Sequence, residues 1–247
     1  LKRKMIQNIL DYYKITKKST LAILQIFFCM VLILIGCNIF SNIASHWSLD
    51  NNKYEPLPDL FFETFGYYYS FVIIDSSMYI LLAITIILIF TNRDALQISF
   101  RLICCISIGY FIRMTTLAVT NLPDPNKECF KVDKSSILSE FNFSRCGDNI
   151  YSGHTLICMF LAFTCTSYKY FNNFYYNIIM NVIVWLLAMT SIIFLLLGRI
   201  HYTVDVVLSI YISIGIWILY QNWYSKMISK LNIFGENDNE LTEVNIT

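Results

Sequence analysis

The stretch "FYYNIIMNVIVWLLAMTSIIFLLLGRIHYTVDVV", residues 174–207, decides the fold. Residues 174–197 carry no charged side chain. A helix needs about 20 apolar residues to cross the hydrocarbon core of a bilayer, so this run predicts a membrane-spanning helix. The "GRIH" turn, residues 198–201, is short, and a second apolar run begins at residue 203. A turn that short predicts that the two helices run antiparallel, side by side. Barrel strands would alternate apolar and polar residues, and this run does not.

Working outward, the composition agrees. The chain has 247 residues, 56% hydrophobic and 14% charged, with a mean hydropathy of +0.55. Soluble domains are about 25% charged. The net charge of +1 gives no electrostatic footprint for nucleic acid. Six apolar runs are candidate spans, at about 19–40, 70–90, 97–119, 152–170, 174–197 and 203–224. The expectation is an all-α membrane protein, a six-transmembrane-helix bundle with cytoplasmic N- and C-termini. Residues 1–18 form a cytoplasmic segment, 19–224 the transmembrane catalytic domain, and 225–247 an acidic cytoplasmic tail whose composition predicts disorder.

Lys2, Arg3, Lys4, Lys14, Lys17 and Lys18 precede the first run and place that end in the cytoplasm. The connections 41–69, 120–151 and 198–201 then lie outside, although the longest of them carries Lys127, Lys131, Lys134 and Arg145. In this topology His46, His154 and His201 all reach the outer face, with Asp148, Arg199 and Asp205. The fourth and sixth helices begin there, so two histidines and an aspartate from distant parts of the chain reach one depth.

"HYTVD" sets His201 and Asp205 at i and i+4, on one face of a helix. A carboxylate there fixes the tautomer of the ring and frees its other nitrogen as a nucleophile. It also stabilises the imidazolium-like species formed after attack. His154, on another helix, is placed to protonate a leaving oxygen. The plain alternatives are an interfacial histidine at a helix end and a helix-surface His–Asp contact. Arg113, several residues inside its helix end, needs an anion. Either a lipid phosphate in two-point geometry or an ion pair with Asp75 would serve. Arg101 is near the inner end, where it can snorkel.

Four ordered motifs resemble the sphingomyelin synthase family, itself related to the type 2 phosphatidic acid phosphatases. They are "YEPLPDLFFETF" (54–65), "RLICCISIGYFIRMTTLAVTNLPDP" (101–125), "CGDNIYSGHT" (146–155) and "HYTVDVV" (201–207). The resemblance implies that His154 is the first catalytic histidine and that His201 and Asp205 are the second histidine and its aspartate. It implies transfer of phosphocholine, or a related head group, from phosphatidylcholine or another glycerophospholipid to the primary hydroxyl of ceramide. Diacylglycerol leaves, and a phosphohistidine forms on His201. Arg113 and Arg199 would steady the phosphate. Asp148 is a candidate partner for the cationic head group, as is Glu63. No metal and no cofactor are implied. The partners are the donor lipid, ceramide and the bilayer, with a homodimer as a possible assembly. The implied location is the Golgi or plasma membrane, with the site on the lumenal or exoplasmic side.

Departures from the wider phosphatase pattern narrow the substrate. Tyr151 stands where a proline would precede "SGH", Leu195 stands where an arginine would fall, and no Lys-x6-Arg-Pro occurs. A phosphomonoester dianion wants several cations; a phosphodiester wants fewer. The sparse set favours a diester. The alternatives are transfer of ethanolamine or inositol head groups, a lipid phosphate phosphatase or phospholipase C type hydrolase, and, from another class, a transporter using Arg113 and Asp75.

Two further expectations concern the outer loops. Cys129 and Cys146 share the long loop, and a bridge between them would contribute roughly 3 kcal/mol by loop entropy. "EPLPDLFF" is either an ordinary turn or an amphipathic cover on the interface, with Leu57, Leu60, Phe61 and Phe62 facing lipid.

Overall fold

The computed structural model describes residues 12–13, 15–48, 55–68, 71–117, 119, 122–126, 133, 137–138, 147, 150–224, 226 and 233. Among them the regular structure is helical, with no strand. The helices are α1 (Lys17–Trp47), α2 (Leu60–Thr64), α3 (Phe71–Thr91), α4 (Ala95–Leu117), α5 (Gly153–Ser167), α6 (Phe174–Leu197) and α7 (Thr203–Leu219). A π-helical turn, Tyr220–Tyr224, continues α7. Asp148, Cys129, Cys146, residues 1–11 and nearly all of 225–247 lie outside the described residues.

Among the described residues five helices are long and apolar enough to cross a membrane: α1, α3, α4, α6, and α7 with the turn that follows it. The run expected as the fourth span is different. Its helix, α5, has 15 residues and so is about 22 Å long, short of a hydrocarbon core of roughly 30 Å. It ends because Tyr168 turns to extended backbone and Tyr170 folds back, its hydroxyl donating to Thr164 O at 3.1 Å. That bond satisfies one of the carbonyls orphaned at the helix end.

The short helix is the core. α5 packs against α3, α4, α6 and α7, and its Leu156, Cys158, Phe160, Ala162 and Thr164 have no exposed surface. A helix apolar all round belongs in the middle of a bundle. Small residues let the others approach it. A Cβ on Gly109 of α4 would lie 2.6 Å from Leu156 Cδ1. Hydroxyls buried in the bundle bond to carbonyls within their own helix, as Thr85 does to Leu81 O at 2.8 Å and Thr164 to Phe160 O at 2.8 Å. In an apolar medium such bonds satisfy these hydroxyls.

α1 lies on α4 and outruns its expected end at residue 40. Its last turns are buried through Ser41, Asn42, Ala44 and Ser45, and the Asn42 amide donates to Ile137 O at 2.6 Å. The first turns of α1 expose Leu21, Leu24, Phe27 and Phe28, as lipid-facing positions do.

At the far end of the bundle from the histidines, Arg101 does not reach the surface. It is buried, its guanidinium 3.7 Å from the Trp217 ring centroid and within 3.3 Å of the Tyr168 hydroxyl. Of the described cysteines, Cys37, Cys104, Cys105, Cys158 and Cys165 are buried as small apolar packers, while Cys29 is exposed.

Candidate active site

α7 begins at Tyr202, which has extended backbone and acts as the N-cap. Asp205, three residues on, accepts the Tyr202 N–H on Oδ2 at 2.9 Å. It satisfies one of the orphaned donors of the first turn, and a carboxylate there is favoured by the helix dipole. Asp205 is wholly buried and His201 is 5% exposed. The same Oδ2 lies 3.6 Å from His201 Nδ1. That is an electrostatic approach and too long for a hydrogen bond. The carboxylate is therefore fixed by the backbone and presented to Nδ1, which leaves Nε2 for chemistry.

α5 begins at Ser152, whose Oγ accepts Thr155 N–H at 3.3 Å and the Thr155 hydroxyl at 3.0 Å. His154 follows in the first turn, half-buried. The glycine between them has a specific use. A Cβ on Gly153 would lie 3.2 Å from the Tyr110 hydroxyl and 3.4 Å from Arg113 Cζ. The bare backbone lets the guanidinium of α4 lie close against the start of α5, one residue before His154. Arg113 is buried, and no ion pair joins it to Asp75 among the described residues. Tyr151, fully buried, keeps its phenol proton: burial pushes its pKa up against the opposing Arg113 charge, and Tyr110 adds to the rise.

The outer segments are knitted together by groups that sequence reasoning did not single out. The Tyr202 hydroxyl donates to Pro123 O at 2.8 Å and accepts Leu57 N–H at 3.0 Å. Asp124 accepts Asn126 N–H at 2.8 Å and Gly147 N–H at 3.2 Å. Gly147 has φ 74, a left-handed conformation that suits glycine. Asp59 accepts Phe61 N–H at 2.9 Å, Thr203 N–H at 2.7 Å and the Thr203 hydroxyl at 2.7 Å. The signal for Asp59 was present as an aspartate just before an apolar run, which is an N-cap pattern; its second client, Thr203, is 144 residues away and invisible locally.

His154 and Arg113 are thus brought together at the mouth of α5, and His201 and Asp205 at the mouth of α7, with α5 and α7 packed together. Arg199 is engaged elsewhere: its Nη2 donates to Phe62 O at 3.3 Å and its guanidinium lies over the Phe62 and Tyr67 rings. Among the described residues no group of three or more His, Cys, Asp or Glu gathers as metal ligands would.

The fold and site define a multi-helix membrane protein with paired histidines at one end. Residues 145–222, which hold α5, α6 and α7, match the family model for the PAP2 superfamily C-terminal region. The chain is similar to proteins named as sphingomyelin synthases, under the name phosphatidylcholine:ceramide cholinephosphotransferase, or as sphingomyelin synthase-related. It is 28% identical over 194 residues to human phosphatidylcholine:ceramide cholinephosphotransferase 1, covering 71% of this chain and 46% of that protein. It is 28% identical over 211 residues to sphingomyelin synthase-related 2 of Caenorhabditis elegans, covering 76% and 63%. To human sphingomyelin synthase-related protein 1 it is 26% identical over 210 residues, covering 77% and 49%. The chain spans about half the length of the curated relatives it matches.

Proposed function

We propose that this chain is a ceramide phosphotransferase of the sphingomyelin synthase type. It moves phosphocholine from phosphatidylcholine to the primary hydroxyl of ceramide and releases diacylglycerol. The observation that carries this reading is the His201–Asp205 pair, with a buried carboxylate pinned by backbone 3.6 Å from Nδ1.

His201 Nε2 attacks phosphorus; the N–P bond forms as the P–O bond to glycerol breaks. His154 gives its proton to the departing diacylglycerol oxygen. In the second half His154 takes the proton of the ceramide hydroxyl. The new O–P bond forms as the N–P bond breaks, and its electron pair returns to the imidazole. Asp205 stabilises the charged ring throughout. Arg113, held against Gly153 beside His154, matches a phosphodiester monoanion. Asp148 is proposed as the partner of the choline or other cationic head group, and Arg199 as a weaker anion contact. The site faces the lumenal or exoplasmic side, in the Golgi or plasma membrane, with both termini cytoplasmic.

The test uses purified protein in ceramide-containing liposomes without divalent metal, given phosphatidylcholine or phosphatidylethanolamine separately, for wild type and His201→Ala. The expected result is transfer from phosphatidylcholine to ceramide, lost in the variant. Head-group release with no ceramide product would make the chain a hydrolase. Preference for phosphatidylethanolamine would name the other head group. If folded wild type used neither donor, the phosphocholine reading would fail and an inositol lipid would be tried next.

A further inference from the structure

Residues 57–68 run back along the α6–α7 turn and are bonded to it on both sides of His201. Leu57 N–H meets the Tyr202 hydroxyl at 3.0 Å. Asp59 takes the amide and the hydroxyl of Thr203, each at 2.7 Å. The Phe62 carbonyl accepts Arg199 Nη2 at 3.3 Å, and Tyr68 N–H donates to Leu197 O at 3.0 Å. The strap therefore touches the turn at residues 197, 199, 202 and 203.

Two features show how firmly the turn is held. Arg199 adopts φ 50, a left-handed conformation that is strained for a side-chain-bearing residue and persists only where the surroundings over-determine it. Here the surroundings are Phe62 and Tyr67, whose rings lie under its guanidinium. In addition, two carboxylates from different elements cap the start of α7. Asp205 serves Tyr202 N–H from within the helix, and Asp59 serves Thr203 N–H from the strap. Short hydrogen bonds to an ionised acceptor are among the strong ones. Asp59 lies well before the family-model match, which starts at residue 145.

The strap also packs across the helices that carry the site. Phe61 packs on Met159, Ile192, Leu196 and Val206, and Phe62 stacks 5.9 Å from the Tyr202 ring. Leu57 and Leu60 point outward. Of the four residues expected to face lipid, Leu57 and Leu60 are exposed, while Phe61 and Phe62 are half-buried against the helices.

We propose that Asp59 is the positioning residue for the turn that carries His201, and that the strap it anchors decides whether the phosphoryl group on that histidine passes to a lipid hydroxyl or to water. The inference rests on the function proposed above. Either acceptor breaks the same N–P bond, forms one O–P bond and gives one proton to the general base. Only access distinguishes them. A displacement of about 1 Å at such a site costs on the order of 100-fold in rate.

The test compares full-length wild type with Asp59→Asn, Thr203→Val and Thr203→Ser in phosphatidylcholine–ceramide liposomes. Two quantities are read. One is the rate at which diethyl pyrocarbonate modifies His201 without added substrate turnover, mapped by mass spectrometry on the vesicle-embedded protein. The other is the ratio of head group released to water over head group transferred to ceramide. Asp59→Asn and Thr203→Val should each raise the labelling rate and the water share about tenfold, with kcat falling more than the KM for ceramide changes. Thr203→Ser, which keeps the donor, should label like wild type. Unchanged labelling in folded Asp59→Asn and Thr203→Val would overturn the proposal, as would equal exposure in Thr203→Ser. If wild type turns over no donor, the functional reading fails, while the labelling still decides the role of Asp59.

Discussion

At the residue scale, the site turns on a carboxylate held for a purpose other than its histidine. Asp205 is anchored by Tyr202 N–H at 2.9 Å and stands 3.6 Å from His201 Nδ1. Catalytic hydrogen bonds are often long before substrate binds, and under the proposed function this gap closes when lipid is bound. Asp205→Asn should keep the helix cap through its amide oxygen but lose the charge facing the ring. We expect kcat to fall by about 100- to 10,000-fold with little change in thermal stability, read from transfer rates beside a melting curve. His154→Ala should fall by a similar factor. Leaving groups of lower pKa should restore it, because they need no proton. The i, i+4 spacing of "HYTVD" made the pair legible in the sequence. The side on which Arg113 would find its partner was not. Asp75 and a lipid phosphate both fitted the pattern, and the packing of Arg113 on Gly153 depends on how α4 and α5 cross.

At the element scale, Gly153 and Tyr202 carry the argument. A methyl at position 153 would press on the Tyr110 hydroxyl and on Arg113 at 3.2–3.4 Å. Gly153→Ala should therefore shift the guanidinium away from His154 and lower kcat/KM for the donor about tenfold, while the chain stays folded. A kinetic series over donor concentration checks this. Tyr202 holds three segments by one hydroxyl. Burial raises its pKa above the ordinary 10.0, with the Asp124, Asp205 and Asp59 carboxylates adding and the Leu57 amide opposing. A raised value means that the folded chain keeps the proton after the unfolded chain has lost it. This stabilisation is complete below about pH 10 and is lost as pH rises through the folded-state value. The melting temperature of wild type should fall above that pH more steeply than that of Tyr202→Phe. The variant should also be weaker at neutral pH by about 1–3 kcal/mol for two lost hydrogen bonds. Hydrophobic runs made most helix ends readable to within a few residues, with α6 matched at both ends and α1 running on to Trp47, past its expected end at 40. α5 stops short of the end of its apolar run, because its end is set by Tyr168 turning extended and Tyr170 reaching Thr164 O, which apolarity does not report.

At the scale of the whole molecule, the two ends of the bundle differ in kind. One collects His154, His201, Arg113 and the capped helix starts; the other locks Arg101 onto Trp217. The positive charges before α1 are the basis for proposing that the histidine end faces outside. Leu60, 81% exposed on the strap, reports on this directly. Leu60→Cys should react with a membrane-impermeant maleimide added outside intact cells, and Lys226→Cys, past the other end, only after permeabilisation. Labelling with the sides reversed would invert the topology. The strap, α5 and α7 come from three separate regions of the chain, which is why single motifs suggested the chemistry while only the assembled fold located the groups that hold it. The most direct test of the central claim is to mix wild type with phosphatidylcholine in the absence of ceramide, quench at neutral-to-alkaline pH, and map the acid-labile adduct by mass spectrometry. A phosphocholine group on the His201 peptide, discharged when ceramide is added, is the predicted result. Transfer that proceeds without any adduct on His201, or an adduct on His154 instead, would contradict it.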